Sequence, residues 1–333
     1  MNTIILTEGG SKIGFGHITR CVSLYHAFKN KGARVSFIVN GDSSVKDPLR
    51  GIRYTALDWL KVREDIFRRA EKADIVLIDS YLADKEFYKN ISKLVRVAAY
   101  MDDFNRMKYP KGFVINGIPG AKALKYLRSK DVKYLLGIRY MTVRKEFCAL
   151  RRKPVKEGIP ERVMVTFGGN DIKRMVPKVL RLLAVRYPDM ARTAIVGKGF
   201  SREEVDDIEY IRDKMTELVY SPSPRKMKAL MGRSDLAVSG AGQTLYELAS
   251  LGVPTIAVAI ADNQFNNIKS MLAAGAIKYA GRWNDDDILE KIAGCVGSLC
   301  DRQSRRMISN RAERLMGHKG ADRIVGSLLE AAR

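Results

Sequence analysis

The sequence is poor in the residues that build metal sites, disulfides and stacking surfaces. Its 333 residues include only 3 histidines, 4 cysteines and 2 tryptophans, and aromatic side chains make up 8%. Cys21, Cys148, Cys295 and Cys300 form no Cys-x-x-Cys pair, and His17, His26 and His318 do not cluster with them. A structural zinc needs about four converging ligands, so no metal is expected and the thiols should stay reduced. No apolar run approaches the ~20 residues that span a bilayer. The most apolar stretch, Val253 to Ala261, has the length of a buried strand. The opening MNTIILTEGG lacks the basic segment of a signal peptide, and a cytoplasmic protein is the expectation.

Positive charge is what the chain has in excess. Lys and Arg number 59 against 37 Asp and Glu, a formal net charge of +22. These residues are scattered over nearly every expected helix, as at Lys61, Arg63, Arg68, Arg69 and Lys72, and again from Arg302 to Arg314. With no zinc-finger spacing and no aromatic RNA-binding strand, a nucleic-acid partner is not expected. A solvated basic surface is the simpler reading; it would draw anionic small molecules and permit peripheral contact with anionic lipid.

Strand-like and helix-like segments alternate. Thr3 to Leu6 reads as a strand, and Ile18, Cys21, Val22, Tyr25 and Phe28 recur at helical spacing up to a stop at Gly32. Arg34 to Val39 is again strand-like. Asp74 to Ile78 and Val95 to Tyr100 follow, separated by helical segments, and Val114 to Asn116 and Tyr134 to Leu136 complete the first half. Residues 149–161, rich in Pro, Gly and charge, read as a linker. The alternation then restarts with strands at 162–167, 193–196, 235–239 and 253–260, and the remainder reads as helical and basic. Two such runs predict two doubly wound, Rossmann-like parallel sheets, one over 1–150 and one over 151–333. Ligands of such sheets sit beyond the carboxyl ends of the strands.

Three loops at those ends carry candidate chemistry. The first, Ile13 to Arg20, has Gly14 and Gly16 for close backbone approach and His17 in the first turn of a helix. The helix dipole disfavours positive charge there, so His17 is a candidate to take a proton from water. A histidine can equally cap or pack such a loop, but the preceding glycines favour the chemical role. A dinucleotide fingerprint would need a third glycine at Thr19. The second loop, Ser239-Gly240-Ala241-Gly242-Gln243-Thr244, offers amides and a hydroxyl to a phosphate, and Glu247 can accept ribose hydroxyls or serve as a cap near the helix start. Gly168-Gly169-Asn170-Asp171 is the third. Asn263 and Gln264, after the next strand, suit sugar hydroxyl and acetamido groups or an Asx turn.

Together these segments resemble the GT-B class. More closely, they are similar to the UDP-2,4-diacetamido-2,4,6-trideoxy-β-L-altropyranose hydrolases of pseudaminic acid biosynthesis and their spore-coat polysaccharide relatives. The resemblance rests on IGFGHITR at 13–20, LIDSY at 77–81, MDD at 101–103, IRYMTVRKEF at 138–147, FGGNDIK at 167–173, SGAGQTLYELASLGVP at 239–254 and ADNQ at 261–264. It departs at Ser80, where relatives often carry histidine. The resemblance implies two domains facing across a cleft and metal-independent release of UDP without a cofactor. His17 would be the base, with Tyr81 and Asn263 near the sugar. Gly14, Gly16, Arg20, Gly168, Gly169, Asp171, the 240–244 loop (Gly240, Ala241, Gly242, Gln243, Thr244), Glu247 and Gln264 would hold the substrate. The alternatives are a glycosyltransferase of the same architecture, a non-catalytic nucleotide-binding or nucleic-acid-binding module, and a dehydrogenase.

Overall fold

The computed structural model describes residues 1–11, 13–127, 129–148, 155–316 and 319–333. His318 and residues 149–154 of the expected linker lie outside them. The chain folds as two compact units, Met1–Arg144 with Gly317–Arg333, and Lys145–Met316. The sequence reading divides the chain at 150/151 and leaves the basic tail with the second half. In the structure the last helix returns to the first unit.

In the first unit β1 (Asn2–Glu8) leads into α1 (Gly16–Asn30), then β2 (Arg34–Asn40), β3 (Tyr54–Ala56), α2 (Arg63–Ala70), β4 (Ile75–Asp79), α3 (Lys85–Leu94), β5 (Val97–Met101), β6 (Gly112–Asn116) and β7 (Val132–Leu136). The strands pair in parallel in the order β3-β2-β1-β4-β5-β6-β7. Helices cover both faces, so the central strands are apolar at nearly every position rather than at alternate ones. Ile5, Ile75 and Leu77 pack with Leu24 and Phe28 of α1 on one face. Ile4, Leu6, Val76 and Ile78 pack with Trp59 and Phe87 on the other.

The second unit repeats the plan: β8 (Arg162–Thr166), α4 (Met175–Arg186), β9 (Ala191–Val196), α5 (Arg202–Tyr210), β10 (Thr216–Tyr220), α6 (Pro224–Arg233), β11 (Leu236–Gly240), α7 (Gln243–Ser250), β12 (Thr255–Ala259), α8 (Phe265–Ala273), β13 (Lys278–Arg282), α9 (Ile288–Ser298) and α10 (Arg302–Leu315). Its parallel order is β10-β9-β8-β11-β12-β13. The expectation that everything after residue 260 is helical fails at β13. The segment KYAGR is only partly apolar, but it pairs with β12 across a register shift at Ala257/Val258. The chain then crosses back as α11 (Gly320–Ala331), whose Ile324, Val325 and Leu328 join the core beside α1. None of the described helices is long and apolar enough to cross a membrane.

Strand order reverses between β1 and β4 in the first sheet and between β8 and β11 in the second. Loops leaving adjacent strands on opposite sides of a reversal open a crevice at the carboxyl edge. The Gly-His loop, the LIDSY segment, the Gly168 loop and the Gly240 loop all leave these four strands. Because Leu328 is fully buried against the first unit, Leu328→Ala should lower the unfolding free energy by about 2–5 kcal/mol. Urea unfolding followed by circular dichroism measures this.

Candidate active site

At the first reversal, three neighbouring strands each deliver a carboxylate. β1 ends on Glu8, β4 ends on Asp79, and Asp102-Asp103 follow β5. Glu8 and Asp79 are fully buried, and Asp102 nearly so. Asp79 is the hub. Its Oδ1 lies 2.6 Å from His17 Nδ1, and it accepts from Arg20 Nε at 2.5 Å and Nη2 at 2.6 Å. Burial pushes the Asp79 carboxyl up, but the Arg20 guanidinium and then His17 outweigh that and hold it well below the usual carboxylate range. An ionised Asp79 can only accept hydrogen bonds. His17 Nδ1 must therefore carry the hydrogen in this contact, so in the neutral ring the lone pair lies on Nε2. The opposite tautomer would set two lone pairs against each other at the same short distance.

Tyr81 stands beside this pair. Its ring packs edge-on to the His17 imidazole, centroids 4.4 Å apart, and its hydroxyl donates to Asp103 Oδ2. Burial first, and then the Asp103 charge, push the phenol well above its ordinary value, so it stays protonated as a donor. Ser80 donates to Glu8 Oε2 and accepts from the amides of Leu82 and Ala83, both at 3.0 Å. The Tyr81 amide donates to Glu8 Oε1 at 2.7 Å. Glu8 and Ser80 thus fix the backbone of the turn, while Asp103 fixes the Tyr81 side chain. His17 is 8% exposed and belongs to this polar cluster, not to the apolar core.

The structure brings His17, Arg20 and Tyr81 together, as the motif suggests, but turns Arg20 inward onto carboxylates. Of the two loop glycines, Gly14 has φ +88 and requires a residue without Cβ, whereas Gly16 is simply the first residue of α1. Sequence reasoning assigns no role to Glu8, Asp79 or Asp103. The available signal is an acid at, or just after, the end of β1, β4 and β5.

In the second unit, Gly168 has φ +101 and turns the chain out of β8. The Gly169 carbonyl accepts from the Gly199 amide at 2.8 Å. Asp171 is engaged as a helix cap, its two oxygens accepting from the amides of Met175 at 2.9 Å and Val176 at 2.6 Å. Gly242 caps α7 with no side chain of its own to offer, and Gln243 and Thr244, half-buried, begin that helix. Gln264 is a brace: its Oε1 accepts from the amides of Ala241 at 3.3 Å and Ile260 at 3.0 Å, while Asn267 donates to the Ala241 carbonyl at 3.2 Å. Gly240 is buried at the end of β11 and Glu247 within α7. Asn263 lies exposed in the turn Asp262–Gln264. A pocket of about 470 Å³ opens between the loops after β8, β12 and β13. Lys173 and Arg282 border it, each lying over an aromatic ring, Trp283 at 4.3 Å and Phe265 at 4.8 Å.

Burial outweighs the two capping amides and pushes the Asp171 carboxyl up to about 6. A carboxyl whose folded value is raised stabilises the fold most fully below its unfolded value, and that contribution disappears as pH rises through about 6. The unfolding free energy of the wild type minus that of Asp171→Asn should therefore fall by about 1–3 kcal/mol between pH ~4.5 and ~7.5. A flat or rising difference in parallel denaturation series would contradict this.

Residues 162–296 match the glycosyltransferase family 28 C-terminal domain. The chain is 26% identical over 269 residues to protein MJ1062 of Methanocaldococcus jannaschii, covering 77% of this chain and 55% of that protein. It is 24% identical over 281 residues to the spore coat polysaccharide biosynthesis protein SpsG of Bacillus subtilis, covering 83% and 82%. With the pseudaminic acid cytidylyltransferase and UDP-2,4-diacetamido-2,4,6-trideoxy-β-L-altropyranose hydrolase of Helicobacter pylori it shares 26% over 271 residues, covering 80% and 46%. The chain thus spans about half the length of the first and third of these relatives. Among solved structures, MurG of Acinetobacter baumannii superposes with a TM-score of 0.68 at 14% identity, covering 99% of this chain and 100% of that one. The MnaA–UDP complex of S. aureus does so with 0.67 at 12%, covering 99% and 96%. The chain has the GT-B fold, built from two Rossmann-like parallel-sheet domains, and residues 162–296 are similar to the glycosyltransferase family 28 C-terminal domain.

Proposed function

We propose that the chain is a nucleotide-sugar hydrolase that releases UDP from a UDP-linked diacetamido-trideoxy sugar, in pseudaminic-type acid or surface polysaccharide biosynthesis, and acts in the cytoplasm. The observation that carries this reading is the hydrogen bond from His17 Nδ1 to the buried, ionised Asp79, which leaves Nε2 free to accept a proton. The hydrolase activity printed for the H. pylori relative supports it, as does the polysaccharide role printed for the B. subtilis one.

In this proposal the loops of the second unit hold UDP, and the first unit supplies the base. The N-terminus of α7, which lacks a capping side chain, and the turn at Gly168 offer amides to the diphosphate, and Glu247 takes the ribose. Asn263 and Tyr81 meet the sugar. A water oxygen attacks the anomeric carbon as its proton passes to His17 Nε2. The bond from that carbon to the phosphate oxygen breaks, and its electron pair leaves with UDP. The nearby Asp79 carboxylate stabilises the imidazolium that forms, as in other histidine–carboxylate pairs. No step needs a metal or a cofactor.

The match to a family 28 C-terminal domain favours one alternative, in which His17 deprotonates an acceptor hydroxyl instead of water. Purified protein incubated with UDP-linked acetamido sugars and no acceptor separates the two. Stoichiometric UDP release at a steady catalytic rate is expected; slow release that rises sharply on adding an acceptor alcohol would favour transfer. His17→Asn should lower kcat by about 10²–10⁴-fold while leaving UDP affinity by calorimetry close to that of the wild type.

A further inference from the structure

The motif places Arg20 among the substrate contacts, and its surroundings argue otherwise. Nε and Nη2 donate to the two oxygens of Asp79, and Nη1 donates to both oxygens of Asp103 at 2.7 and 2.9 Å. The side chain is 12% exposed, and Nη2 also lies 3.2 Å from His17 Nδ1. One planar fork is thus committed to two carboxylates from neighbouring strands. Each carboxylate holds one of the two candidate side chains: Asp79 holds the imidazole of His17, and Asp103 the hydroxyl of Tyr81.

We propose that Arg20 is a positioning residue that locks Asp79 to Asp103, so that His17 and Tyr81 are set as one unit and neither carboxylate is free to turn. This rests on the reading of His17 as the base. Charge supports it. Asp79 and Asp103 against one guanidinium leave one negative charge in excess before Glu8 and Asp102 are counted, and Arg106 lies 5.8 Å from the centre of the Tyr81 ring. That excess suits an imidazolium formed during turnover. A phosphate brought to Arg20 would have to displace bonds to a carboxylate and would meet Asp103 beside it. Buried ion networks contribute little net stability compared with apolar replacements, so what this one supplies is geometry. Lysine cannot replace it, because a single ammonium lacks the bidentate fork.

The test is Arg20→Lys, with three readouts. Turnover of a UDP-linked acetamido sugar should show kcat reduced by about 10–100-fold, with KM changed by less than about threefold. Affinity for UDP alone, by calorimetry, should stay within about twofold, because no direct contact is removed. Nitrogen-15 spectra of the imidazole, recorded where the ring is neutral, should change from a single species protonated at Nδ1 to a mixture of tautomers, a measurement that needs no substrate. A rise of about tenfold or more in KM or in the UDP dissociation constant with kcat preserved would make Arg20 a substrate contact and overturn the proposal. So would unchanged kcat and unchanged spectra. If Arg20→Lys does not fold, Asp103→Asn carries the test. That side chain is 19% exposed, and the amide keeps an acceptor for Tyr81 while weakening one end of the clamp. The same changes in smaller measure are expected, and wild-type values would overturn the proposal. If the wild-type protein turns over no UDP-sugar, the hydrolase reading fails, and the spectra alone decide the role of Arg20.

Discussion

A carboxylate without water, at the end of a central strand, constrains everything near it. Asp79 is fully buried, and a charge removed from solvent persists only if matched by opposite charge and hydrogen bonds. Arg20 supplies most of that match, with His17 and the Cys21 thiol adding to it, all from the first turns of α1. The placement follows from topology. β1 and β4 pair directly, with Thr7 beside Asp79, and α1 leaves β1 on one side of the strand-order reversal. The same helix therefore starts over the end of β4 and sets His17 and Arg20, one turn apart, on the same carboxylate. The hydrogen on His17 Nδ1 is a consequence of that one buried charge, while Tyr81 is held by Asp103, which shares the Arg20 guanidinium with Asp79.

The second unit solves a different problem with the same scaffold. Its reversal lies between β8 and β11, and the loops there carry glycine and amide groups in place of paired charges. Gln264 uses one oxygen to tie the exit of β12 to the exit of β11, and Asn267 ties the other side of Ala241. Those braces fix where α7 begins. No side chain caps the first turn of α7, and the positive end of a helix dipole favours an anion. In the proposed reaction, electrostatic stabilisation of a leaving diphosphate and deprotonation of a nucleophile thus fall to separate units, each built around its own sheet.

Part of this is legible in the sequence. Continuous apolar runs such as IVLID and VAAYM mark strands buried on both faces, and the glycine turns after β1 and β11 mark the loops that matter. Less regular elements escape. β3, β10 and β13 are short and half polar, and pairing with a neighbour, not their own pattern, makes them strands. α5 escapes as well, although Ser201 and Glu204 form a capping box before it. At the site, His17 and Tyr81 stand out by motif, but the motif does not reveal that Arg20 bonds Asp79 and Asp103. Which carboxylates face an arginine depends on strand order, which local sequence does not encode. Asp171 shows the same limit, since its place after a glycine turn does not reveal that it accepts from the first amides of α4.

The central claim is a water made nucleophilic at a sugar carbon, and isotopic oxygen tests that most directly. Hydrolysis of a UDP-linked acetamido sugar in H₂¹⁸O, stopped early and analysed by mass spectrometry, should place the label on the anomeric oxygen of the released sugar and none on UDP, with the labelled product lost in the Asp79→Asn protein. Label on the terminal phosphate of UDP, or unlabelled sugar recovered only when an acceptor is present, would contradict it.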